Sequence, residues 1–139
     1  MSDGCKELDA FVAQQGTGFK AARGKVWDEL RFDSTIKLPG ASSCTITIAN
    51  GADAAKVECV MSSSADRAVA EAEYAKLSRG VAKCLDPSKW KLTHKETNGV
   101  SVATFASERA DIVVIRALTL FGPTRGQHVV SKIVKAKTK

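Results

Sequence analysis

The stretch from Cys44 to Cys59, CTITIANGADAAKVEC, carries the pattern from which the fold can be predicted. In its first half, Cys44 and two isoleucines alternate with threonines, which places the cysteine and the isoleucines on one face of a strand. In its second half, Val57 and Cys59 alternate in the same way, and the dipeptide Asn50-Gly51 favours a tight turn between the halves. The stretch therefore predicts an antiparallel hairpin with both cysteines on one face.

The segments on either side of this hairpin predict two helices and one further strand. Apolar residues recur at helical spacing from Lys6 to about Ala22, and Gly24 is the expected end of this helix. The stretch FDSTIKL alternates as a strand and is followed by a Pro-Gly turn. The clearest helix lies within residues 62–87, where apolar residues from Ala70 to Cys84 recur at helical spacing and are expected to form a core stripe. Three serines are expected to cap its start, Asp66 in the first turn is favoured by the helix dipole, and a proline ends it.

The last third of the chain predicts about four strands. The stretches WKLTHKE and VSVATFA flank an Asn-Gly dipeptide, which is the strongest hairpin signal in the sequence. A two-residue turn there gives a definite register, with these pairs: Leu92 with Phe105 and His94 with Ala103. The stretch DIVVIRALTLF is apolar on both faces, which is typical of a central strand, and QHVVSKIVKA predicts the last strand.

The element order is a helix, three strands, a helix and four strands, which predicts an α+β fold. Antiparallel hairpins with two interspersed helices favour antiparallel sheet structure with the helices packed on one face. No shift in composition divides the chain, so residues 1–139 are expected to form a single domain with a short basic tail from about residue 135. The element order resembles that of small bacterial α+β domains such as type III secretion chaperones, and the resemblance is one of topology alone.

The composition indicates a globular and basic chain. The apolar fraction of 44% suffices for a core, and no apolar run approaches the ~20 residues that a membrane helix needs. Membrane insertion is therefore not expected. Lysine and arginine outnumber aspartate and glutamate by 21 to 15, and the resulting charge of +6 makes acidic proteins, anionic lipids and nucleic acids the partner classes to consider.

The four cysteines are expected to be structural. They form no C-x-x-C pair, which argues against the commonest zinc and redox motifs. All four lie on predicted inward faces, where free thiols can also pack. Their even number, with each cysteine on an element that must meet another, favours two disulfides over free core thiols and over a metal site. The favoured pairing is Cys44–Cys59 with Cys5–Cys84, and the alternative is Cys59–Cys84 with Cys5–Cys44.

Disulfides imply an oxidising compartment, so the expected location is the periplasm or the cell exterior. The first residues, MSDGCKELDA, lack a basic start followed by an apolar core. We therefore expect that a native signal peptide has been removed. The alternative is a cytoplasmic protein with reduced cysteines in its core.

Signals of catalysis are few. His94 and His128 are far apart in sequence, and no nucleophile elbow, H-E-x-x-H or phosphate-loop motif accompanies them. No pair of carboxylates stands out from the other acidic residues. We therefore expect no catalytic, cofactor-binding or metal-binding residues, no cofactor, and a protein that is not an enzyme.

Two clusters of basic residues are the candidate binding surface, one after the first helix and one on the outward side of a later hairpin. They are Arg23, Lys25 and Arg31 in the first cluster and Lys89, Lys91 and Lys95 in the second. The predicted function is that of a small secreted or periplasmic binding or accessory protein whose partner is another protein. The alternative is an intracellular basic domain that binds nucleic acid or an acidic protein, including a secretion-chaperone-like role.

Overall fold

Two α-helices and eight β-strands make up the fold in a computed structural model, which describes residues 5–14, 19–48, 55–108, 110–122 and 125–136. The chain begins with α1 and a short 3₁₀ helix, and α2 lies between two groups of four strands. The bounds are α1 Cys5–Ala13, 3₁₀ helix Lys20–Ala22, β1 Arg23–Val26, β2 Arg31–Ser34, β3 Ser43–Thr47, β4 Lys56–Ser64, α2 Arg67–Cys84, β5 Lys91–Thr97, β6 Val100–Ala106, β7 Ala110–Leu118 and β8 His128–Ala136.

The eight strands form one sheet in the order β1-β2-β3-β4-β8-β7-β6-β5, and every neighbouring pair is antiparallel. The predicted α+β class and the antiparallel sheet are therefore confirmed. Each group of four strands forms a meander, and the two meanders join where β4 pairs with β8. As predicted for its apolar sequence, β7 is an interior strand, and β8 lies at the centre of the sheet.

Four strands precede α2, so the predicted order with three strands there was wrong. The missed strand is β1, whose sequence RGKV has no apolar alternation to reveal it. The strand predicted from FDSTIKL ends at Ser34, because the Ser34 hydroxyl accepts from the backbone N–H of Ile36 at 3.2 Å. This local bond replaces a ladder bond and turns the chain.

The first helix is shorter than predicted, because α1 ends at Ala13 rather than near Ala22. Phe19 has a left-handed φ of 61°, which an α-helix cannot contain, and residues 15–18 lie outside the described residues. Gly24, the predicted helix end, lies within β1 instead. A Cβ at Gly24 would come within 3.1 Å of the Asp33 carbonyl oxygen, so this glycine permits a close approach of β1 and β2.

The predicted hairpin at Asn98-Gly99 is confirmed in detail. Both turn residues have positive φ, 52° and 79°, as a type I′ turn requires. The register pairs Leu92 with Phe105, and His94 with Ala103, as expected. The other predicted turn, Asn50-Gly51, lies outside the described residues, although β3 and β4 on either side of it are paired.

The start of α2 differs from the prediction in its cap. The three serines that were expected to cap the helix belong to β4, which runs to Ser64 and carries a bulge between Val60 and Ser62. The cap is Asp66 alone, whose carboxylate accepts from the backbone N–H of Ala68 at 2.9 Å. At the other end of the chain, β8 extends to Ala136, and residues 137–139 of the predicted basic tail lie outside the described residues.

One hydrophobic cluster contains side chains from both helices and from the sheet. Its helical members include Leu8 and Phe11 of α1 and Ala70, Tyr74 and Val81 of α2. Its strand members follow the alternation of the sheet: Cys44, Ile46, Val57, Cys59, Ala103, Phe105, Ile112, Val114, Val130 and Val134. We call the sheet surface that carries these strand residues the inner face.

Candidate functional site

The cysteines form two disulfides, Cys5–Cys84 and Cys44–Cys59. These are the two bonds of the pairing that the sequence favours. The first joins the start of α1 to the end of α2, and the second links residues that lie opposite each other in the β3–β4 register. A disulfide sulfur is neither a thiolate nucleophile nor a thiolate ligand, and both bonds restrict the unfolded chain.

The two predicted basic clusters lie at opposite edges of the sheet. Arg23 and Lys25 are in β1 at one edge, and Lys91 and Lys95 are in β5 at the other. They therefore do not form one continuous surface. The structure also places Lys89 in the turn that leads into β5, on an exposed position.

The first of these clusters is largely engaged within the chain. The Arg31 guanidinium donates to the Asp28 carboxylate at 2.6 and 2.9 Å, and it lies over the Trp27 ring at 5.9 Å from the centroid. The Arg31 contact, with a backbone bond from Leu30, lowers the pKa of Asp28 from its usual value. The Arg23 guanidinium stacks on Phe32, 5.0 Å from the ring centroid. These contacts engage Arg23 and Arg31 within the chain, whereas Lys25 in β1 is exposed.

A groove beside α2 brings together cations that were not among the predicted binding residues. It lies between α2 and the turn at Pro39–Gly40 and has a volume of about 700 Å³. Four cations line it, namely Lys76, Arg79 and Lys83 of α2 and Lys132 of β8, together with the carboxylate of Glu73. We call this surface the α2 groove.

The α2 groove combines unpaired surface charge with one buried lysine. Lys76, Arg79 and Lys83 are exposed and make no ion pair with any residue that the structure describes. Lys132 is only 8% exposed and lies on the inner face of the sheet, opposite Cys59 in the register. The groove therefore has exposed cations along its α2 side and one cation at its base.

Sequence patterning contained a signal for this groove. Lys76, Arg79 and Lys83 recur at intervals of three and four residues, the spacing that places side chains on one face of a helix. Periodicity assigns the opposite stripe of α2 to the core, and the cationic stripe was not among the predicted binding residues. Lys132 gave no separate signal, because it stands within an apolar strand and close to the lysine-rich end of the chain.

The two histidines pack against structural residues beside the N-terminal half of α2. The His94 ring lies 5.9 Å from the Tyr74 ring, measured between centroids. His128 Nδ1 lies 3.1 Å from Arg116 Nη1, and since arginine only donates, the imidazole nitrogen is the acceptor. Neither histidine hydrogen-bonds a serine, a cysteine or a carboxylate among the described residues.

Arg116 is the one arginine that is fully buried among the described residues, and the sequence analysis missed it. Its Nη2 donates to Ser101 Oγ at 3.0 Å, and the carboxylates of Glu71 and Glu96 lie 4.0 Å away. Its Nε has no hydrogen-bond partner in the described part of the chain. With His128, the cluster links α2 to four strands, β5 to β8, and therefore holds the start of α2 against the sheet.

The described residues contain no group of three or more His, Cys, Asp or Glu side chains that could hold a metal ion. Within the same ranges, no helix has the length and apolar character needed to cross a membrane. Comparison with known proteins finds no match to this chain among protein-family models, curated proteins or solved structures.

Proposed function

We propose that this chain is a small disulfide-stabilised binding protein of the periplasm or the cell exterior, that it holds an anionic segment of a partner protein in the α2 groove, and that it catalyses no reaction. The observation that carries the proposal is the composition of the groove, with four cations against one carboxylate. Three of these cations make no ion pair with the described residues.

The two disulfides support the proposed location. Such bonds form and persist in oxidising compartments and are rare where glutathione keeps thiols reduced. Both bonds join cysteines that are separated by long stretches of chain, 79 and 15 residues. Each therefore restricts the unfolded chain, as structural disulfides of secreted domains do.

The charge and shape of the α2 groove support an anionic occupant. A concave surface lined by one sign of charge attracts the opposite charge and accelerates association. The volume of about 700 Å³ lies within the range of ligand-binding clefts. The lining also includes Met61 and Leu77, so an occupant can bury apolar surface as well as pair its charges.

A pair of double variants tests the groove directly. Lys76→Gln with Lys83→Gln removes two charges from the α2 groove, and Lys91→Gln with Lys95→Gln removes two exposed charges from β5. Binding to poly-glutamate, measured by surface plasmon resonance at physiological salt, should weaken about tenfold in the first variant, equivalent to roughly 1.4 kcal/mol. The β5 variant has the same net charge and should bind like the wild type. Equal losses in both variants would show that the attraction is non-specific and would reject the groove.

A thiol count tests the compartment. Protein isolated from its native source and unfolded without reductant should release no free thiol, because all four cysteines are in disulfides. Ellman's reagent gives the count, and the same sample after reduction serves as the control with four thiols. Four free thiols before reduction would contradict the proposed location and would favour the intracellular alternative, a basic domain that binds nucleic acid or an acidic protein.

A further inference from the structure

Gly80 is a glycine in the interior of α2 that lines the α2 groove. Glycine at such a position costs about 1 kcal/mol of helix stability relative to alanine. A Cβ built on Gly80 would meet no atom within 4 Å, so packing between described residues does not require the glycine. The space above Gly80 is therefore open. The reason for a glycine at this position lies in the groove rather than in the core.

The position of Gly80 relative to the cations is specific. Lys76, Gly80 and Lys83 follow each other at intervals of four and three residues, so they occupy one stripe of the helix. The two lysines are about 10.5 Å apart along the helix axis at 1.5 Å per residue. Gly40, in the turn that also lines the groove, has a φ of 85° and likewise no atom within 4 Å of an added Cβ. The groove is thus bordered by glycine on both sides.

The base of the groove distinguishes between kinds of anion. Lys132 is 8% exposed, already interacts within the chain and lines the groove together with Leu77 and Met61, so an anion that reaches it must enter among apolar groups. A carboxylate on a short aliphatic stem meets this requirement. The phosphates of a nucleic acid and the sulfates of a glycan are spread along the outside of a bulky polymer, which would contact the exposed cations without reaching this lysine.

From these features, and on the basis of the proposed function, we infer that the groove binds an extended acidic peptide segment of a partner protein. The backbone of the segment passes over Gly80, and its carboxylates contact Lys132 and the cations of α2. An extended chain advances about 3.3 Å per residue, so the distance between Lys76 and Lys83 corresponds to about three residues. Glycine at position 80 allows the close backbone approach that any side chain there would block.

Substitution of Gly80 separates binding from folding. Gly80→Leu fills the open space with a residue of high helix propensity, so the thermal midpoint should not fall. Ala82→Leu adds a side chain of the same size at an exposed position of α2 outside the groove and is the matched control. The probe is a fluorescein-labelled ten-residue peptide of alternating glutamate and alanine, measured by fluorescence anisotropy at physiological salt.

The inference expects the affinity for this peptide to fall at least about tenfold in Gly80→Leu and to remain unchanged in Ala82→Leu. A single-stranded oligonucleotide and a sulfated oligosaccharide of equal charge should bind the wild type more weakly than the peptide does. Full peptide affinity in Gly80→Leu, or equal affinity for a polymer probe, would overturn the peptide inference and leave a groove for anions in general. If the wild type binds none of the three probes, the proposed function itself is rejected.

Discussion

Burial of the Arg116 side chain costs free energy, and contacts within the fold offset that cost. A buried guanidinium loses its hydration, and this loss must be offset by hydrogen bonds and opposite charge. Ser101 and His128 accept two of its hydrogen bonds, while Glu71 and Glu96 lie at 4.0 Å and are themselves about half exposed. Arg116 continues the inner-face alternation of β7, two residues beyond Val114. The alternation could have predicted a buried charge there, but its partners come from other elements.

Tyr74 is a second buried polar residue, and it allows a prediction at the scale of one residue. Burial raises the pKa of the Tyr74 hydroxyl above its usual value of 10.0. The hydroxyl has no hydrogen-bond partner among the described residues. Because the pKa of Tyr74 is higher in the folded than in the unfolded state, its protonation favours folding. This contribution to the free energy of unfolding is fully present below pH 10 and is lost as the pH rises through the pKa of the folded state.

Tyr74→Phe should therefore be as stable as the wild type at pH 7, or more stable by up to about 1 kcal/mol, because it removes an unsatisfied buried hydroxyl. Above pH 10, the wild type should lose stability faster than the variant, as measured by urea unfolding. Tyr74 is the one tyrosine in the sequence, so absorbance at alkaline pH reports its ionisation alone. A phenol that ionises at its ordinary pH, or a variant that is clearly less stable at pH 7, would contradict this account of the site.

At the scale of elements, the hairpin signal at Asn98-Gly99 was confirmed, whereas the predicted end of the first helix was wrong. The register of β5 and β6 follows from a two-residue turn, because the turn type alone determines which residues face each other. The end of α1 depends on Phe19, whose left-handed backbone has no signature in the side-chain pattern. The strand β1 also has no recognisable sequence pattern, because its four residues are held by pairing with β2 rather than by an apolar face.

For α2, the sequence predicted the buried stripe but not the groove on its other side. Its core stripe was predicted from periodicity, and Tyr74 and Val81 are buried as expected. Its opposite side contributes the cations of the α2 groove, but a helix alone makes no groove. The second side comes from the turn at Pro39–Gly40, which is distant in sequence.

At the scale of the whole molecule, the sheet repeats one plan twice. Each half consists of a helix followed by a four-stranded meander, and the last strands of the two meanders pair with each other as β4 and β8. No repeat of residues accompanies this repeat of elements. The disulfide Cys5–Cys84 connects the helices of the two halves, from the start of α1 to the end of α2.

The two disulfides should differ in their contribution to global stability. In the chain-entropy model, closing the 79-residue loop of Cys5–Cys84 contributes about 4.5 kcal/mol, and closing the 15-residue loop of Cys44–Cys59 contributes about 3 kcal/mol. Replacing each pair by serines in turn should give a lower midpoint of urea unfolding for the variant that lacks Cys5–Cys84. The reverse order would show that the link within the β3–β4 hairpin matters more than the link between the helices.

The sequence by itself determined the features that depend on neighbouring residues, namely the register of the β5–β6 hairpin, the buried stripe of α2 and the inward direction of Cys44 and Cys59. These follow from alternation, helical periodicity and turn chemistry, which act over a few residues. Only the tertiary structure decided that β4 pairs with β8, that Arg116 meets its partners and that Lys132 lines one groove with the cations of α2. These contacts join residues far apart in the chain, and local patterns do not encode which distant surfaces pack together.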